Sequence, residues 1–146
     1  MKVEGVDRVV LAVKDLEKAQ KFFSDLLGIK FDQTRQNTRT KIRADYARVG
    51  SFGGLEVVEP TSEESLVDKF IRRRGEGPFM LVFKVDNLEE WKKFFEEKGI
   101  RLVDEIERGG LREAIFHPKD TYNIPFVLCE YEAAHPATCA SLHKSK

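Results

Sequence analysis

One segment of this 146-residue chain occurs twice, and that repetition constrains the fold more than anything else in it. Asp15-Leu16-Glu17-Lys18-Ala19-Gln20-Lys21-Phe22-Phe23 returns later as Asn87-Leu88-Glu89-Glu90-Trp91-Lys92-Lys93-Phe94-Phe95. Each copy follows an apolar run, Val9 to Val13 and Leu81 to Val85. Each ends at a glycine with an apolar-basic pair behind it, Gly28-Ile29-Lys30 and Gly99-Ile100-Arg101. The same order of strand, cap, helix and glycine stop, met twice, identifies two copies of one supersecondary unit.

Taken in order, Val6 to Val13 alternates as a strand, with Val6, Arg8, Val10 and Ala12 on one face and Asp7, Val9, Leu11 and Val13 on the other. Asp15 can cap the helix that follows. Leu16, Ala19, Phe23 and Leu26 recur at helical spacing as its apolar face, and Gly28 suits its left-handed end. The pairs Phe22-Phe23 and Phe94-Phe95 read as core packing. Ile29 to Phe31 opens a second strand, and Arg35 to Arg43 is a basic loop or hairpin edge. Ala44 to Val49 and Leu55 to Val58 are strands joined by Ser51-Phe52-Gly53-Gly54. Thr61-Ser62-Glu63-Glu64 has capping-box spacing and opens a bridging helix that runs through Arg74 to Gly75. The second unit repeats strand and helix, then adds Leu102 to Glu105, Leu111 to Phe116 and Pro125 to Cys129.

The expected architecture is therefore α+β: two tandem βαβββ modules that form a cleft between curved mixed sheets. A single domain spans 1–131, with module one at 5–60, a bridging helix at 61–78, module two at 79–131 and a C-terminal tail at 132–146. Neither module covers its own sheet, so the two must share an interface. Carrying positions from one copy to the other maps Arg8 onto Met80 and Glu56 onto Leu128, or onto Val127 once a one-residue shift is allowed. The cleft floor is therefore expected to carry Arg8, Glu56, Met80 and Val127. Pairing of the modules within one chain and pairing swapped across a dimer both satisfy the sequence.

Composition narrows the partners. Twenty-five basic and 25 acidic side chains cancel, so no long-range field favours nucleic acid or an anionic membrane. No apolar run approaches the roughly 20 residues of a membrane-spanning helix, and the charged N-terminus lacks a signal-peptide core. With two cysteines there is no disulfide framework. The expected setting is cytoplasmic.

Val6-Asp7-Arg8-Val9-Val10-Leu11-Ala12-Val13-Lys14-Asp15-Leu16, Leu55-Glu56-Val57-Val58-Glu59-Pro60-Thr61, Lys69-Phe70-Ile71-Arg72-Arg73-Arg74-Gly75-Glu76-Gly77, His117-Pro118-Lys119 and Leu128-Cys129-Glu130 resemble the vicinal-oxygen-chelate superfamily, in particular its epimerase-like branch. That superfamily includes glyoxalase, dioxygenase and bleomycin-resistance members. The resemblance covers residues 5–131 and implies a dimeric protein with a small-molecule cleft. Metal-dependent members hold a divalent ion with one side chain from each of four cleft strands. Those positions fall here on Arg8, Glu56, Met80 and Val127, of which only Glu56 offers an oxygen ligand. Arg donates and never accepts, and a divalent ion needs several N, O or S ligands. The reading is metal: none, cofactor: none.

The resemblance then implies a metal-independent cleft protein acting on a small carboxylate or acyl thioester, by an isomerase, epimerase or lyase step. Arg8 would polarise an oxygen, Glu56 would move a proton, and Met80 and Val127 would line an apolar part of the ligand site. The same Arg-Glu pair also reads as a buried ion pair filling a vacated metal site. Two other functions stay open: a non-catalytic binding protein resembling bleomycin-resistance proteins, and a metal-dependent epimerase or glyoxalase with displaced ligands. Arg72-Arg73-Arg74 suits the helix C-terminal dipole as well as a phosphate. His117 reads as a turn residue, and His135, Cys139 and His143 share helical spacing that a zinc clip would use.

Overall fold

A computed structural model describes residues 1–31 and 33–132; the tail histidines and Cys139 lie outside them. The elements run β1 (Val3–Ala12), α1 (Leu16–Leu27), β2 (Arg35–Asn37), β3 (Ile42–Arg48), β4 (Gly54–Pro60), α2 (Leu66–Arg74), β5 (Gly77–Val85), α3 (Leu88–Glu97), β6 (Leu102–Arg108), β7 (Leu111–Phe116), a short 3-10 turn (Pro118–Asp120) and β8 (Phe126–Glu130). The strands make one curled, mixed, eight-stranded sheet in the order β2-β3-β4-β1-β5-β8-β7-β6. The fold is α+β, and the two halves continue into each other through one sheet. β1 pairs with β4 in parallel, as β5 does with β8, and β1 and β5 join antiparallel at the centre. The second half thus repeats the strand order of the first in mirror sense, and the modules pair within the chain.

The caps follow the sequence. Asp15 and Asn87 each accept the backbone N–H three residues on, from Lys18 and Glu90. Gly28 closes α1 at φ 68°, where a Cβ is disfavoured. Leu16, Ala19 and Phe23 of α1 pack with Val57 on one face of the sheet, while Leu88, Trp91 and Phe95 of α3 pack with Phe116 and Leu128. The bridging helix α2 sets Val67, Phe70 and Ile71 against Val10, Ala12, Val58, Val82 and Val127. These are the alternate residues of their strands, so α2 covers the opposite face from α1 and α3 and closes one end of the concave side.

Several boundaries differ from the pattern. Helix α2 starts at Leu66, because the Thr61 N–H is bonded to the Lys41 carbonyl and Ser65 is the residue that caps, accepting from Val67. Ile29 to Phe31 is not a strand: the Ile29 N–H turns back to the Phe23 carbonyl, and pairing resumes only at Arg35. Phe22 is exposed, because residues adjacent on a helix point about 100° apart and only Phe23 of the phenylalanine pair reaches the sheet. Leu26, expected on the apolar face, is exposed as well and lies outside the cluster that α1 forms with Val57. Behind the loop before β2, buried Asp45 accepts from the Gln33 N–H, Gln20 Nε2 and the Thr34 hydroxyl. Burial pushes its carboxyl above the usual value. Asp120, in the 3-10 turn, goes the other way: the guanidinium and backbone N–H of Arg101 hold it down to about 2.

Candidate functional site

The concave face encloses a cavity of about 400 Å³. Its wall is mostly apolar, with Val10, Ile42, Val58, Phe79, Met80, Ile106 and Ile115. At its floor lies a buried ionic cluster centred on Arg8. The Arg8 guanidinium donates through Nε to Glu56 Oε1 at 2.9 Å, through Nη2 to Glu113 Oε1 at 2.8 Å, and through Nη1 to Asp7 Oδ2 at 2.5 Å. Arg35 donates to the second oxygen of Glu56. The Tyr131 hydroxyl donates to Asp7 Oδ1 at 2.6 Å. Asp7, Arg8, Glu56 and Glu113 are all buried.

Each part has a local cause. Arg8, Glu56 and Glu113 stand on β1, β4 and β7 as alternate inward residues, between Val10, Val58 and Ile115 of the same strands. Strict alternation would turn Asp7 away from Arg8. A bulge in the β1–β5 ladder between Val6 and Arg8 breaks that alternation and lets consecutive side chains meet. A second irregularity, opposite Val10 and Leu11, brings Phe79 and Met80 into the cavity together. Tyr46 covers the Gly54 backbone at the rim of β4, where any Cβ would overlap its ring.

The cavity mouth lies where the two edges of the sheet curl towards each other. Arg39, on the turn between β2 and β3, reaches Asp104 of β6 at 3.2 Å, and Lys41 pairs with Glu64. Arg35, Arg39, Lys41 and Arg108 put four cationic side chains among the lining residues of the mouth and inner rim. The basic run from Arg35 to Arg43 thus belongs partly to the cleft. The Arg72-Arg73-Arg74 run lies at the C-terminus of α2, with Arg72 paired to Asp68. His117 caps the 3-10 turn, accepting from the Lys119 N–H.

Of the four floor residues expected from the repeat, Arg8, Glu56 and Met80 line the cavity. Val127 does not. It faces the same side but is fully covered, packed beside Val82 and Cys129 under the floor. Glu113, Asp7, Arg35 and Tyr131 were missing from that set. The Arg8 guanidinium, already a cation, occupies the space between Glu56 and Glu113, and Met80 and Val127 add a thioether and a covered isopropyl group. Such a donor set does not fit the divalent ion that the superfamily resemblance implies. Among the described residues a separate group of carboxylates, Asp15, Glu17 and Glu59, gathers at the α1 N-terminus. Asp15 and Glu59 accept backbone N–H groups there, and Glu17 and Glu59 pair with Arg43.

A family profile described as the Glyoxalase/Bleomycin resistance protein/Dioxygenase superfamily matches residues 7–116. The chain is 28% identical over 137 residues to the mitochondrial methylmalonyl-CoA epimerase of Mus musculus, a match covering 91% of this chain and 75% of that protein. Among solved structures, methylmalonyl-CoA epimerase from Mycobacterium tuberculosis is similar at a TM-score of 0.82 and 30% identity, with 90% of each chain covered. A variant of the Streptomyces coelicolor methylmalonyl-CoA epimerase, in complex with 2-nitronate-propionyl-CoA, gives a TM-score of 0.83 at 25% identity, covering 90% of this chain and all of that one.

Proposed function

This chain belongs to the glyoxalase/bleomycin resistance protein/dioxygenase superfamily, and on that premise we propose that it is a metal-independent, epimerase-type protein acting on an acyl thioester. The observation that carries the proposal is the position of the Arg8 cluster: a guanidinium bonded to two inward carboxylates, from different halves of the sheet, at the floor of an apolar cavity. The apolar wall suits an acyl group. The cations of the mouth and rim suit the carboxylate and phosphates of a coenzyme A ester. The elementary step is removal and return of the proton on the carbon next to the thioester carbonyl. The guanidiniums of Arg8 on the floor and of Arg35 on the inner rim would face the oxygen that gains charge.

The proposal extends to a cytoplasmic, homodimeric protein. The exposed Phe22, Leu26 and Leu27 on α1 offer an apolar face for a second copy. Among the described residues, no helix is long and apolar enough to cross a membrane.

The test is solvent exchange. Incubated in D2O with methylmalonyl-CoA and excess chelator, the protein is expected to place deuterium on the carbon between the carboxylate and the thioester, detected by mass spectrometry. Exchange that requires an added divalent ion would reject the metal-independent part. Tight binding of methylmalonyl-CoA without exchange would favour the other reading, a sequestering protein. The engagement of both Glu56 oxygens by guanidiniums is the observation on that side.

A further inference from the structure

Glu56 is the carboxylate that the repeat brings forward, yet its two oxygens are each held by a guanidinium, Oε1 by Arg8 and Oε2 by Arg35. A group that takes a proton needs an oxygen lone pair directed at the substrate and not already shared with a fixed cation. Glu113 offers one. Its Oε1 accepts from Arg8 Nη2, and among the described residues no donor reaches its Oε2. The side chain lines the cavity from β7, on the wall opposite Glu56 across Arg8. Its neighbours along the strand and across the ladders are apolar or weakly polar: Leu111 and Ile115 on β7, Ile106 on β6 and Cys129 on β8. Arg8 therefore fixes Glu113 through one oxygen and leaves the other towards the space a ligand fills.

We propose that Glu113 is the residue that takes and returns the proton, and that Glu56 is a positioning residue that orients Arg8 and Arg35. The assignment rests on the proton-transfer reading above. In the step, the C–H bond next to the carbonyl breaks and a Glu113 O–H bond forms. The electron pair moves onto the thioester oxygen as an enolate. The Glu113 O–H exchanges with solvent, and Glu113 then returns a proton to the enolate carbon as the electron pair moves back from oxygen. Return to the face first attacked restores the substrate, return to the opposite face gives its epimer, and nothing is oxidised.

The experiment compares wild type, Glu113→Gln, Glu113→Asp and Glu56→Gln in the D2O exchange assay with methylmalonyl-CoA. Calorimetric binding of 2-nitronate-propionyl-CoA and circular dichroism are recorded alongside. Glu113→Gln is expected to lose at least about 100-fold in exchange rate, the lower range for a general base, while the nitronate still binds. Glu113→Asp, which keeps the charge but withdraws the oxygen, is expected to retain partial exchange and covers the case in which the amide variant does not fold. Glu56→Gln is expected to act mainly through a raised KM. Wild-type exchange surviving intact in both Glu113 variants would overturn the assignment alone. No exchange by wild type would overturn the proton-transfer reading and the assignment with it.

Discussion

Replacement of Arg8 by methionine is expected to cost about 3–5 kcal/mol of folding stability, measured by urea denaturation at neutral pH. Methionine fills a similar volume, so the loss reports charge and hydrogen bonding more than an empty space. Without the guanidinium, Asp7, Glu56 and Glu113 become three buried carboxylates, with Arg35 on one of them and the Tyr131 hydroxyl on another. Each is then desolvated and poorly compensated. Adding Asp7→Asn, Glu56→Leu and Glu113→Leu to Arg8→Met should restore most of the stability, because a complete apolar substitution of a buried ionic group is often neutral. The single variant as stable as wild type, with no change in denaturation midpoint, would mean that Arg8 is not the centre of the cluster.

A comparable loss, about 3–5 kcal/mol, is expected for Phe116→Ala. Phe116 is 1% exposed at the end of β7, and its ring lies 4.6 Å from that of Phe95 on α3. Val85, Leu88, Ala114 and Leu128 complete the cluster around it. Truncation leaves a gap that backbone strands on one side and a helix on the other cannot easily close, so the lost contacts add to the lost transfer energy. Because β7 also carries Glu113, the damage should extend to the cleft. Amide hydrogen exchange should show α3 and β7 opening before β1. Uniform opening of the whole sheet would show that the two halves do not differ in local stability.

The duplicated elements were legible because their signals are local. Asp15 and Asn87 cap, the apolar residues recur at helical spacing, and Gly28 and Gly99 close the turns. Copying positions between halves then located Arg8, Glu56 and Met80 without knowledge of the sheet. What escaped depended on departures from the repeat. Asp7 joins the cluster only because of a bulge, which alternation does not foresee. Glu113 pairs with Cys129, as Ala44 pairs with Val58 in the first half, so its counterpart is an alanine that gives no hint of chemistry. Val127 faces the cleft side yet is fully covered, since its depth depends on how Val82, Ile115 and Cys129 pack around it, which alternation does not specify. The partner choices of Arg39 and Lys41 across the mouth depend on how far the sheet curls, which no local pattern specifies.

Ion titration addresses most directly the idea that a guanidinium occupies the place of a divalent cation in this cleft. Chelator-treated protein would be titrated with Mn2+, Co2+ and Zn2+ by calorimetry, in parallel with Glu56→Gln. No stoichiometric binding that depends on Glu56 is the predicted result. One ion per chain, bound by wild type and lost in Glu56→Gln, would contradict it.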